Sequence, residues 1–114
     1  MNDNQPAIHP AVGKNDETVR AMCPARSLEL LEALPALLRQ DSLRDLECEA
    51  MESAVNYELV LQAINAFSVA PEDAKTNEWA ATLVRREYIA RKTLQTYQAE
   101  VALRQREAMA GMTH

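Results

Sequence analysis

Two cysteines, two histidines and a scatter of glutamates are the residues of this chain with the most chemistry to offer. Cys23 and Cys48 lack metal-ligand spacing and are too few for a disulfide framework. Cys48 stands between Glu47 and Glu49, whose charges would raise its thiol pKa, the wrong direction for a nucleophile. Cys23 precedes Pro24 with no histidine or other base beside it. Two reduced thiols are expected, Cys48 packed as a small hydrophobe and Cys23 exposed in an irregular segment. Glu49, Glu52, Glu58, Glu87 and Glu100 raise the question of a carboxylate-bridged metal in a helical bundle. That chemistry also needs a Glu-x-x-His pair on the helices, and His9 and His114 lie near opposite ends of the chain. No catalytic residue, metal ligand or cofactor site is therefore expected.

One charged feature could bind a partner. Arg85-Arg86, Arg91-Lys92 and then Arg104 and Arg106 form a basic strip that could lie along phosphates. Glu87 and Glu100 interrupt it, and no recognition-helix pattern or glycine-containing phosphate loop accompanies it. The net charge of −5 provides no general attraction to nucleic acid or anionic lipid. Nucleic-acid binding through Arg85, Arg86, Arg91 and Lys92 is thus the second reading, behind intramolecular or solvated charge.

The elements that would position these groups are helices. Glycine is absent from Lys14 to Ala110, so the chain forgoes the left-handed positions on which strand-rich folds build their turns. Two runs without proline or glycine, Ala36–Ala70 and the stretch after Pro71, meet at Ser68-Val69-Ala70-Pro71. The expectation is an all-α fold: a long antiparallel hairpin with arms over about 42–68 and 72–109. A shorter bent helix over about 27–39 should pack on it, in a three-helix or dimeric bundle. Residues 1–25 read as a flexible tail, with one short turn of helix conceivable over Asp16–Met22. Residues 26–110 form a single domain, and 111–114 the C-terminal end.

Each arm carries its own pattern. Ser27 serves as expected N-cap of the first helix, and Pro35 should bend it. Leu43, Leu46, Ala50, Ser53, Tyr57, Val60, Ile64 and Phe67 follow a 3-4-3-4 spacing after Asp41 or Ser42 as N-cap. A second stripe through Cys48, Met51, Val55, Leu59, Gln62 and Ala66 needs another helix or another chain. On the last arm the seam reads Ala80, Leu83, Glu87, Ala90, Leu94, Tyr97, Val101, Arg104 and Ala108, deteriorating after Val101, with Pro71 at the first helical position and Gly111 as the stop. Glu87 on that seam is expected to be satisfied by Tyr57 or Arg91. Acidic residues on the first arm, Glu58 and Glu49/Glu52, should lie level with Arg85 and Arg91/Lys92 of the second.

Function then rests on surfaces. Excess apolar helical surface without site chemistry points to a non-enzymatic protein–protein interaction module that self-associates. Candidate contact residues are Leu30, Leu34, Leu37 and Leu38 on the first helix, Met51, Val55 and Leu59 on the second, and the tip aromatics Trp79 and Tyr88. Replacing Leu34 and Leu38 by Asp should then abolish assembly while leaving much of the helicity. A small enzyme with a site formed between two copies is the third reading. No membrane partner is expected, because no apolar run nears the roughly 20 residues that span a bilayer. No basic start and apolar centre of a signal peptide opens the chain, so the expected location is cytoplasmic.

Overall fold

The computed structural model describes residues 16–69, 73–74 and 76–112. Among these the fold is all-α, with helices α1 (Asp16–Met22), α2 (Ala25–Leu38), α3 (Leu43–Ala66) and α4 (Glu78–Met112). Glycine-poor, alanine- and leucine-rich runs leave the backbone little but the right-handed helix to adopt, and packing then selects the faces.

Antiparallel direction in the hairpin is written in its cross-contacts. Phe67 meets Trp79 at the tip, the Tyr57 hydroxyl donates to Glu87, and Gln105 donates to Glu47 at the far end. These contacts step up one helix while stepping down the other. At 35 residues α4 is about 50 Å long. It is the common support: α3 lies along it, and α2 and α1 dock mainly on it too.

Capping explains where the arms begin and end. Ser42 Oγ accepts from the Asp45 N–H at 3.2 Å, satisfying one orphan donor at the start of α3. At its other end the Ser68 N–H bonds Asn65 O and the Val69 N–H bonds Ile64 O. Ser68 sits at φ 52, so the three residues make a Schellman stop with serine where glycine is usual. A non-glycine residue there costs roughly 1–2 kcal/mol. Burial of Val69 against Ile64, both in the core, offsets it.

The second arm starts later than about 72, the expected position. Asn77 Oδ1 accepts from the backbone N–H groups of Trp79 and Ala80, so Asn77 is the N-cap and α4 opens at Glu78. Pro71, expected at the first helical position, lies outside the described residues. At the far end Gly111 does not stop the helix, which continues to Met112. The first helix begins at Ala25, not Ser27: Pro24 precedes it in extended conformation and no side-chain cap forms. It runs through Pro35, whose carbonyl accepts from the Arg39 N–H.

Within the expected tail, the short helix conceived over Asp16–Met22 is present. Of residues 1–25, 16–22 form α1, which packs on α4, and Val19 and Cys23 enter the core. Residues 1–15 lie outside the described residues. The core gathers these two with Ile64, Val69, Ala80, Leu83, Val84 and Tyr88, and Leu28 and Leu31 of α2 close over it. Each fully buried aliphatic side chain of this kind contributes about 1.5–3 kcal/mol. Three shorter helices and one long one thus share a single thin core along α4.

Candidate interaction surface

The expected α3 seam is the face that meets α4. Leu46 and Ile64 are buried, and Leu43, Ala50, Ser53, Tyr57 and Val60 are partly so. Phe67 alone stands out, exposed and edge-on to Trp79 with ring centroids 5.9 Å apart. The second stripe of α3 remains uncovered. Met51 is 72 % exposed, Val55 60 % and Leu59 59 %. Cys48, Gln62 and Ala66 on the same stripe are exposed as well. The reason is the choice made by α2, which docks chiefly on α4 rather than over α3. Leu28 and Leu31 of α2 pack there against the core that includes Leu83, Val84 and Tyr88 of α4.

A polar network holds α1 at the middle of α4. Arg91 donates from Nε to Glu87 Oε2 at 2.7 Å, and from Nη1 and Nη2 to the two oxygens of Asp16 at 3.0 and 2.6 Å. Glu87 also accepts from Tyr57 at 2.9 Å, so one carboxylate ties α3 to α4 and one guanidinium ties α4 to α1. Such a fork suits Arg, whose planar donors reach two acids at once. Burial raises the Tyr57 hydroxyl pKa, and its bond to Glu87 raises it further. Burial opposes charge on Arg91, but its bonds to Asp16 and Glu87 outweigh that and raise its pKa. The register role foreseen for Glu87 is carried by both partners named for it.

Asp16 gives the network a pH signature. Its pKa is held below the usual carboxylate value by the Arg91 hydrogen bonds foremost, against partial burial, with the charges of Arg91 and Lys92 adding to the effect. A depressed folded pKa means stability that is present above the unfolded value, 3.8, and lost as pH falls through the folded one. The gap in urea midpoint between the native chain and Asp16→Asn should therefore be constant above about pH 5 and close below about pH 4. A gap that persists at about pH 2, or is absent at about pH 7, would refute this.

The network also alters the basic strip. Arg91 has a side chain only 11 % exposed and is engaged by two acids, so it is not free to meet phosphate. Lys92 lies over the Tyr88 ring and within 4.0 Å of Asp16. Arg85 is paired with Glu78 at 3.8 Å, leaving Arg86 as the exposed member of the four. The ion pairs expected between Glu58 or Glu49/Glu52 and these cations do not form among the described residues. Glu47 instead accepts from the Gln105 amide at 3.1 Å. Arg91 is already engaged by Asp16 of α1 and by Glu87 on its own helix.

The proposed contact residues divide in the same way. Leu30 and Leu37 are exposed on α2, and Leu34 is partly buried. Leu38 is 3 % exposed and Tyr88 4 %, so both belong to the interior and neither can meet a partner. Tyr88 is held from within, its hydroxyl accepting from Arg20 at 3.2 Å. An Asp at position 38 would attack the fold before any interface, so the Leu34/Leu38 double change is not a test of assembly. Trp79 is half exposed against Phe67. The thiols are reversed: Cys23 is buried, its S–H donating to Val19 O, and Cys48 is exposed. Burial pushes the Cys23 thiol pKa up.

A broad groove of about 630 Å³ between α2 and α4 is lined by Leu31, Pro35, Tyr88, Lys92, Glu100 and Leu103, among others. Glu100 is buried there, with Oε1 3.2 Å from Arg39 Nε but at an angle that makes no hydrogen bond. Its charge is balanced by Arg39, and Oε1 accepts no hydrogen bond.

Asp16, Arg20 and Glu100 are the structural residues that sequence reasoning missed. The signal available for the first two was the pair Val19 and Cys23, one helical turn apart directly after two acids. Glu100 has no such signal, since its burial comes from α2 lying over it. Among the described residues no three His, Cys, Asp or Glu side chains gather as metal ligands, and no helix is long and apolar enough to cross a membrane. Comparison with models of protein families, with curated proteins and with solved structures gives no match.

Proposed function

We propose that this chain is a non-enzymatic helical interaction module that works by packing helix against helix and that it self-associates. The observation that carries the reading is the exposed apolar stripe of Met51, Val55 and Leu59 on α3. Three large apolar side chains on successive turns form a continuous patch, and such a patch beside polar flanks is the usual mark of a docking surface. Leu30 and Leu37, two turns apart on α2, add a smaller patch of the same character. An interaction role also accords with the groups that could have done chemistry, since Glu87 and Arg91 are consumed in structural pairs. The same pairing weakens the nucleic-acid reading, which keeps Arg86 as its exposed cation.

The test is absolute mass in solution across a wide concentration range, for the native chain and for Met51→Glu/Leu59→Glu. The native chain should be a dimer or larger at high concentration. The variant should be a monomer with unchanged helicity, because neither position is buried within the chain. A native chain that is monomeric throughout would refute self-association.

A further inference from the structure

We infer that the α3 stripe pairs with the same stripe of a second copy, antiparallel, with Val55 on the two-fold axis. This rests on the self-association reading above and adds to it the partner surface, its direction and its register. The first argument is spacing. Met51 and Leu59 lie four residues either side of Val55, and Cys48 and Gln62 seven either side. At about 100° per residue these positions fall in mirror order round the helix, Met51 to one side of the Val55 line and Leu59 to the other. A two-fold axis perpendicular to α3 therefore brings Met51 of one copy beside Leu59 of the partner in one layer. The next layer outward joins Cys48 to Gln62. An isologous contact requires this kind of self-complementary pattern.

The second argument is charge. The N-terminal half of α3 and its cap carry Asp41, Asp45, Glu47, Glu49 and Glu52 against Arg44 alone. The C-terminal half carries only Glu58, among Asn56, Gln62 and Asn65, which are exposed. Parallel pairing would set the two acidic halves side by side. Antiparallel pairing sets each acidic half against the partner's amide-bearing half, where Glu58 is the one charge, and it opposes the helix dipoles favourably. The Glu52 flank then faces Asn56 of the second copy, and the Glu47 flank faces Gln62 and Asn65.

Thiol cross-linking separates the alternatives, because Cys48 is exposed on the stripe and Cys23 is buried. In the antiparallel pair the two Cys48 residues are about 20 Å apart, fourteen residues of helix, far beyond the roughly 7 Å a disulfide can span. In a parallel pair they would face each other. Three full-length chains are oxidised with diamide and read on non-reducing gels, with mass measured in parallel: native, Gln62→Cys, and Gln62→Cys/Cys48→Ser. Expected is no covalent dimer for the native chain, most of the Gln62→Cys chain as covalent dimer through Cys48, and none for the double variant. A native Cys48–Cys48 dimer would overturn the antiparallel direction. A non-covalent dimer whose Gln62→Cys form fails to cross-link would overturn the register while leaving self-association intact. A monomer at all concentrations would refute both.

Discussion

Changing Arg91 to Ala should remove about 3–5 kcal/mol of stability, the cost of stranding a buried carboxylate without its cation. Glu87 is 5 % exposed, and in that variant it keeps only the Tyr57 hydroxyl. Asp16 loses both of its hydrogen bonds to α4. A single domain of this size holds about 5–15 kcal/mol in all, so the loss is a large part of the whole. Urea titration should show a much lower midpoint. Adding Glu87→Leu to Arg91→Ala should recover part of the loss, because the stranded charge is then gone. A loss below about 1 kcal/mol, typical of a surface pair, would mean that the network does not hold the helices in place.

The second large effect is expected at Leu46, which is 0 % exposed. It lies one turn into α3, distant from the Ile64 end of that helix. Leu46→Ala should cost about 2–5 kcal/mol through lost burial and the cavity left behind. In a thermal melt that corresponds to a fall of roughly 10–20 °C. Leu59→Ala is the matched control: the same chemical change on the opposite side of the same helix, 59 % exposed in the monomer. At protein concentrations where the chain is monomeric it should stay within about 0.5 kcal/mol of native. Equal effects at the two positions would overturn the assignment of buried and free faces on α3.

Periodicity alone makes the α3–α4 contact legible. Residues from Leu43 to Ile64 at alternating three- and four-residue steps leave a helix one economical way to meet another, and α4 answers with Ala80, Leu83, Glu87 and Ala90. The same pattern does not say what covers a second stripe. Leucines lie round most of α2, so it could have lain on either neighbour, and only the fold shows Leu28 and Leu31 against the core along α4. Thiol burial inverts the expectation for a related reason. Cys48 borders a stripe that nothing in its own chain covers, whereas Cys23 sits one turn after Val19 and enters the core with it. A seven-residue helix is too short to persist on local propensity, and α1 is ordered by Arg91, far along the chain. Distant contacts of that sort leave little trace in local sequence. The start of α4 is legible in principle, since Asn77 is a strong N-cap, but Pro71 offers a competing signal earlier in the chain.

Because α1, α2 and α3 all find their main packing partner in α4, the order of synthesis runs against the order of assembly. The ribosome delivers three helices before the surface they need. Until Leu83, Glu87 and Arg91 have emerged, Val19 has no core to enter and Asp16 has no cation. The early helices must wait as loosely formed amphipathic segments, and the exposed leucines of α2 are then at their most adhesive. Once the last helix is free of the tunnel, the α3–α4 pair, adjacent in sequence, can close first, and α2 and α1 then fold back over roughly seventy residues of chain. Nascent chains of this protein therefore depend, for as long as that wait lasts, on whatever keeps unpaired helices apart.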